Sequence, residues 1–228
     1  MSDNGDEMPE GLAVTREALA DGSLLALVRA VLPPGSVRSD VEIAASLNQA
    51  LASHDPAADL WVFGYGSLMW NPAFFFAQRQ VGTVHGWHRR FCLWIDRGRG
   101  SPDCPGLMLA LDRGGTCRGV AFRIPAPEVR SELLVVWRRE MFGTAYLARW
   151  VRIHLAGATI PAITFVVNRA SPRYAGKLSD DKAAAHISSA VGPLGSCRSY
   201  LENTMSHLHE LGIRDTGLQR IAAGLLPR

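Results

Sequence analysis

The feature that most constrains the fold is the texture that sets in at Trp61. From there to Ile124, short β-rich runs (WVFGY, TVHGWHRRFCLWI, GLMLALD and CRGVAFRI) are separated by Gly, Pro and Asp. Pro125 and Pro127 then announce a helix, EVRSELLVVWRREMF. Two further strand candidates follow, YLARWVRIHL and IPAITFVVNR. The remainder is patterned as helix: SDDKAAAHISSAV, then CRSYLENTMSHLHEL closed by Gly212, then a short segment from about Asp215. Helices set among antiparallel-looking strands predict an α+β chain built on a small closed or half-closed sheet.

Before Trp61 the pattern is helical. TREALADGSLLALVRAVL is interrupted at Asp21-Gly22, and Pro33-Pro34-Gly35 separates it from a second helix. That helix opens on Ser39-Asp40-Val41-Glu42, a capping-box pattern, with apolar residues at 41, 44, 47 and 51. Residues 1–12 are expected to be disordered. The chain therefore divides into an N-terminal helical extension, 1–58, and a second part, 59–228.

With 47% hydrophobic residues in 228, the chain can bury a sizeable core. A net charge of +3 is too mild to argue for a nucleic acid or an anionic membrane surface. No run approaches the roughly 18 apolar residues of a membrane span. The acidic start MSDNGDEMPEGL has neither the basic nor the apolar region of a signal peptide, so a cytoplasmic location is expected. Cys92, Cys104, Cys117 and Cys197 form no C-x-x-C pair and match no zinc spacing; free thiols and no metal are the expectation.

Two stretches carry possible chemistry. In the helix after Pro127, Glu140 lies seven, four and three residues beyond Leu133, Val136 and Trp137, so it falls on their inward face. It is the single carboxylate that the pattern turns inward. One reading pairs it with Arg138, Arg139 or an arginine from a neighbouring strand. The other makes it a desolvated carboxylate with a raised pKa, suited to accept and return a proton. The second stretch is FGYGSL, residues 63–68. Its glycines fit a β-bulge, and they equally fit a concave nest in which the N–H groups of Gly66, Ser67 and Leu68 receive an anion. It is neither a Rossmann fingerprint nor a P-loop, and Ser67 lies in no G-x-S-x-G elbow. In HGWHRRFCLWIDRGRG, strand alternation puts Arg89 with Phe91 and Arg90 with Cys92, which favours structural or substrate-facing arginines over a nucleic-acid groove. His207 and His209 fall on different faces of a helix and cannot share a metal there.

The combination WVFGYGSLMWNP, HGWHRRFCLW, PGLMLALDRGGTCRGVAFRI, WRREM and YLENTMSHLHELGIRD resembles the ChaC family of γ-glutamylcyclotransferases, in the family's order, from about Asp59 to Leu225. The resemblance implies a cyclotransferase-type fold, a small mixed or antiparallel β-barrel flanked by helices. It implies cleavage of glutathione into 5-oxoproline and cysteinylglycine, with no cofactor, no metal and no nucleic-acid or membrane partner, by a monomer or weak dimer. It makes Tyr65, Gly66, Ser67 and Leu68 the γ-glutamyl binding loop, Glu140 the catalytic acid/base, and Tyr200 a residue near the substrate. Two alternatives stay open: a cyclotransferase acting on other γ-glutamyl compounds, and a non-catalytic γ-glutamyl-binding regulator.

Overall fold

The structure, a computed structural model, describes residues 14–225. The expected disorder of the first twelve residues lies outside the described residues. Five strands close a barrel: β1 (Leu60–Gly64), β2 (Gln78–Ile95), β3 (Gly106–Ile124), β4 (Tyr146–Leu155) and β5 (Ala158–Val167), in the order β1-β3-β2-β4-β5. Neighbours in that order run antiparallel, and β1 meets β5 in parallel at Val62 and Ile163 to complete the closure.

The strand reading needs one correction. GLMLALD and CRGVAFRI are not two strands but the two halves of β3, and β2 begins before Thr83, at Gln78. Gly86, Gly114 and Gly115 have φ of 81°, 95° and 71°, in the left-handed region, and there the register shifts between His85 and Trp87. Glycine marks a bulge in a continuous ladder here rather than an end of strand.

Helices cover the barrel. Before β1 come α1 (Arg16–Ala20), α2 (Ser23–Val31) and α3 (Asp40–Leu51). Between β3 and β4 lies α4 (Val129–Glu140); after β5 come α5 (Asp180–Ser189), a two-residue hairpin of β6 (Val191–Gly192) and β7 (Gly195–Ser196), α6 (Cys197–Glu210) and α7 (Thr216–Ala223). The capping box on α3 forms as its sequence predicts, Ser39 Oγ accepting from the Glu42 N–H and the Glu42 carboxylate accepting from the Ser39 N–H. Its buried face differs from the expected one. Ile43 and Leu47 face the core while Val41 is 78% exposed, because α3 is rolled so that its first-turn valine faces solvent.

One large core joins the helices to the barrel, including Leu19, Leu25, Ile43 and Leu47 of the N-terminal helices together with Leu133, Val136 and Trp137 of α4. A smaller cluster consists of Tyr65 and strand side chains such as Phe63, Val84, Leu111 and Ile153. All four cysteines are free thiols, three of them buried. Among the described residues no helix is long and apolar enough to cross a membrane.

Polar anchors hold α1 against α4. Arg16 pairs with the buried carboxylate of Glu132, whose other oxygen accepts from the Phe75 N–H at 2.8 Å. Replacing one partner of such a pair leaves the other charge buried. Arg16→Met is expected to lower unfolding stability by about 2 kcal/mol, below the fully buried range because Arg16 is partly exposed and Glu132 keeps one donor. Urea unfolding with an unchanged m-value checks it.

Candidate active site

The last turn of α4, the β1–β2 loop and the first turn of α6 converge on a cavity of about 310 Å³ whose lining includes Ser67, Glu140, Tyr146 and Tyr200. That volume suits a small ligand. A wider surface groove of about 580 Å³ between α6 and α7 shares no lining residue with it.

Glu140 ends α4 with its side chain 15% exposed. Both sequence readings meet at this residue. Arg139 Nε lies 3.0 Å from Glu140 Oε1, so the ion pair exists. Burial nevertheless pushes the carboxyl above the ordinary glutamate range, and Arg139 opposes that shift without cancelling it. The same guanidinium donates to Ser67 Oγ at 2.8 Å and to the Asn71 carbonyl. One arginine thus ties the carboxylate to two points of the loop.

That loop turns from β1 into a single 3₁₀ turn, Ser67–Met69. The leading N–H groups of such a turn have no partner within it, which leaves them able to receive an anion. Ser67 lines the cavity, whereas Tyr65, Gly66 and Leu68 do not. Leu68 packs in the main core. Tyr65 donates its hydroxyl to the Phe165 carbonyl at 2.7 Å, and its own carbonyl accepts from Arg89 Nε. Arg89 is itself buried, bonded to Asp215 at 2.6 Å and to the Arg118 carbonyl at 2.6 Å, so it is structural rather than nucleic-acid facing. The glycines answer to close approach. A Cβ on Gly64 would lie 2.9 Å from Leu68 Cβ, and one on Gly66 would lie 2.9 Å from the Tyr200 hydroxyl.

Tyr200 is buried in α6 with its ring flanked by Trp70, Phe91 and Arg99. Burial, with Glu140 nearby adding to it, pushes the phenols of Tyr200 and Tyr146 well above the ordinary range, so both remain O–H groups. Tyr146, the first residue of β4, went unmarked in the sequence, since strand alternation does not separate it from the core. Arg97 and Arg99 also line the cavity, from the irregular RGRG loop, and Arg173 joins them. Only the surplus of arginine in that loop pointed to them.

Glu140 is not the single inward carboxylate. Asp112 and Glu132 are more deeply buried. They escaped the pattern because each is sequestered by partners distant in sequence: Arg16 and the Phe75 N–H for Glu132, and Arg90, Arg169 and Tyr174 for Asp112. Glu140 differs in lining the cavity that Ser67 and Tyr200 share; Asp112 borders a separate pocket of about 190 Å³.

A family model described as "ChaC-like protein" matches residues 60–225. The chain belongs to the ChaC-like family. It is 43% identical to the glutathione-specific gamma-glutamylcyclotransferase of Escherichia coli K12, over 77% of this chain and 76% of that protein. Human glutathione-specific gamma-glutamylcyclotransferase 1 is 33% identical over 64% of this chain and 68% of that protein. The fold matches a crystal structure of the yeast gamma-glutamyl cyclotransferase specific to glutathione, with TM-score 0.65 at 20% identity over 74% of this chain and 97% of that one. At that identity the structural likeness speaks to the barrel-and-helix fold alone. Helices α1–α3 lie outside the matched span.

The contact between Gly66 and Tyr200 is testable without a substrate. Gly66→Ala is expected to destabilise the protein by about 1–3 kcal/mol through overpacking. Adding Tyr200→Phe, which removes the hydroxyl, should recover part of the loss. A double-mutant cycle with coupling above about 0.5 kcal/mol supports the contact. Strict additivity argues against it.

Proposed function

We propose that this chain degrades glutathione by cyclising its γ-glutamyl group, releasing 5-oxoproline and cysteinylglycine, with Glu140 as the general acid/base. The observation that carries this reading is a largely buried carboxyl of raised pKa, linked through Arg139 to Ser67 in one cavity, on the scaffold of a family whose relatives bear that activity in their names. In this reading residues 1–58 form an extension and 59–228 the catalytic part, which agrees with a family match beginning at residue 60. Four unpaired cysteines suit a reducing, cytoplasmic setting.

The reaction needs no nucleophile from the protein. The substrate's α-amine attacks its own γ-carbonyl carbon, the C–N bond to the cysteinyl nitrogen breaks, and no water is consumed. Holding the γ-glutamyl chain folded back converts the attack into a positioned intramolecular step. The amine is largely protonated at neutral pH, so a base must take its proton. Glu140 accepts it and returns it to the departing nitrogen. Its raised pKa suits both halves of that transfer. The loop receives the α-carboxylate at Ser67, its residue that lines the cavity, with Gly66 and Leu68 setting the backbone on either side and Tyr65 holding the loop in place from beneath. The hydroxyl of Tyr200, next to Gly66, donates to the same end of the substrate.

Incubation with reduced glutathione, read by mass spectrometry for 5-oxoproline, tests the reading. γ-Glutamyl dipeptides lacking glycine are expected to have lower kcat/KM; the reverse order would make the chain a cyclotransferase of other γ-glutamyl compounds. No turnover of either would make it a binding protein. In ¹⁸O-labelled water the fresh 5-oxoproline should carry no label, because cyclisation takes no oxygen from solvent.

Glu140→Gln should fold normally and lose roughly 10²–10⁴-fold in kcat. The pH profile gives a second check. Glu140 acts as a base only when ionised, so activity rises with pH through its carboxyl pKa. Arg139 holds that pKa down. Arg139→Met removes the cation, raises the pKa further, and should shift the acid limb of kcat/KM to higher pH. A limb that stays in place or moves to lower pH would show that Glu140 does not set it.

A further inference from the structure

The catalytic cavity is walled on one side by residues that the family match does not include. Leu24, Leu25 and Val28 of α2, with its C-cap residue Leu32, all line it. They recur at helical spacing on one face, and Val28 and Leu32 remain half-exposed. Two arginines fix where this wall stands. Arg138, two residues before Glu140, binds the Leu19 and Ala20 carbonyls and lies beside Gly22, just ahead of α2. Arg97 donates to the Val31 carbonyl at 2.9 Å, at the other end of the helix. The nine residues of α2 therefore run about 13 Å from the Glu140 end of the cavity to the loop that holds Arg97 and Arg99.

An extended tripeptide spans on the order of 11 Å. With its γ-glutamyl end at Glu140 and Tyr200, beside Arg99, and its terminal carboxylate toward Arg97 at the far end of α2, its central residue faces the middle of α2. For glutathione that residue presents one methylene and a thiol, far less apolar surface than the wall offers. Resting on the cyclotransferase reading, we infer that the inner face of α2 is a subsite for the substituent on sulfur, and that S-alkyl thioethers of glutathione are a further class of substrate. The chemistry balances as before. The α-amine displaces the cysteinyl nitrogen, one proton passes between those nitrogens through Glu140, and the products are 5-oxoproline and S-alkyl-cysteinylglycine. The thioether bond is untouched and no redox partner is needed.

Each methylene buried in the wall improves binding by about fourfold, so burial of about two of the hexyl carbons suffices for a tenfold gain. With purified full-length protein, S-hexylglutathione should release 5-oxoproline with a KM about tenfold below that of glutathione and a similar kcat. Val28→Asp puts a charge into the wall and should erase that tenfold advantage, raising KM for S-hexylglutathione much more than for glutathione. KM does not depend on the concentration of active enzyme, so partial misfolding leaves the comparison valid. Val28→Ala, which only shortens the side chain, should reduce the advantage without abolishing it. Cleavage of glutathione alone, a higher KM for the thioether, or an advantage that survives in Val28→Asp each overturns the subsite while leaving the cyclotransferase standing. Absence of 5-oxoproline from both substrates overturns the activity, and the subsite falls with it.

Discussion

Everything in the cavity depends on where Arg139 puts its guanidinium. It neighbours Glu140 at the end of α4, and from there it reaches Ser67 and the Asn71 carbonyl across the β1–β2 loop. A planar fork of donors can serve three acceptors in fixed directions, which a lysine ammonium on a flexible stem does not reproduce. The arrangement sets a tension. Arg139 stabilises the ionised carboxylate, yet burial costs that form more than one partner returns. A second cation would lower its pKa further, and loss of Arg139 would raise it. The single arginine, 10% exposed, leaves it between those limits.

A second arginine makes the first one useful. Ser67 can be bonded only if the loop that carries it stays in place, and Arg89 sees to that from beneath. It joins the Tyr65 carbonyl to the Arg118 carbonyl on β3 and to Asp215, the N-cap of α7. Tyr65 adds its hydroxyl bond to Phe165 on β5. The loop is therefore referenced to three strands and a helix, and the cavity floor inherits the rigidity of a closed barrel. Tyr65 contributes to the site without lining it, by deciding where Ser67 stands.

How much of this was legible in the sequence follows from the range of the interactions involved. The α+β class, the helix after Pro127, the α3 capping box and the inward turn of Glu140 rest on periodicity and neighbours within a few residues, and these could be read directly. The continuity of β3 could not, because Gly114 and Gly115 look the same in a bulge as in a turn until the partner strand is in view. The roll of α3 was hidden for a similar reason, since Ile43 and Val41 are equally apolar and only tertiary packing chooses between them. In the site, Glu140 and Ser67 announced themselves through local pattern. Tyr146, Arg99 and the N-terminal wall did not, since each enters the cavity from an element far away in the chain.

The three sequestered carboxylates show why burial alone does not identify a functional acid. Asp112 is fully buried, and burial works against its charge. Even so, Arg169, the Arg113 N–H and Tyr174 outweigh that cost and hold its carboxyl below the ordinary range. Glu132 is closed in by Arg16 and a backbone N–H. Both are tied to fixed partners and act as fasteners, Asp112 among β2, β3 and the Arg169–Tyr174 segment, Glu132 between α1 and α4. Glu140 keeps more side-chain exposure than either, yet burial still pushes its carboxyl upward, because Arg139 is its one ion-pair partner and does not cancel that cost. An upward shift, in the cavity that Ser67 and Tyr200 share, is what singles out Glu140 as the candidate acid among the three.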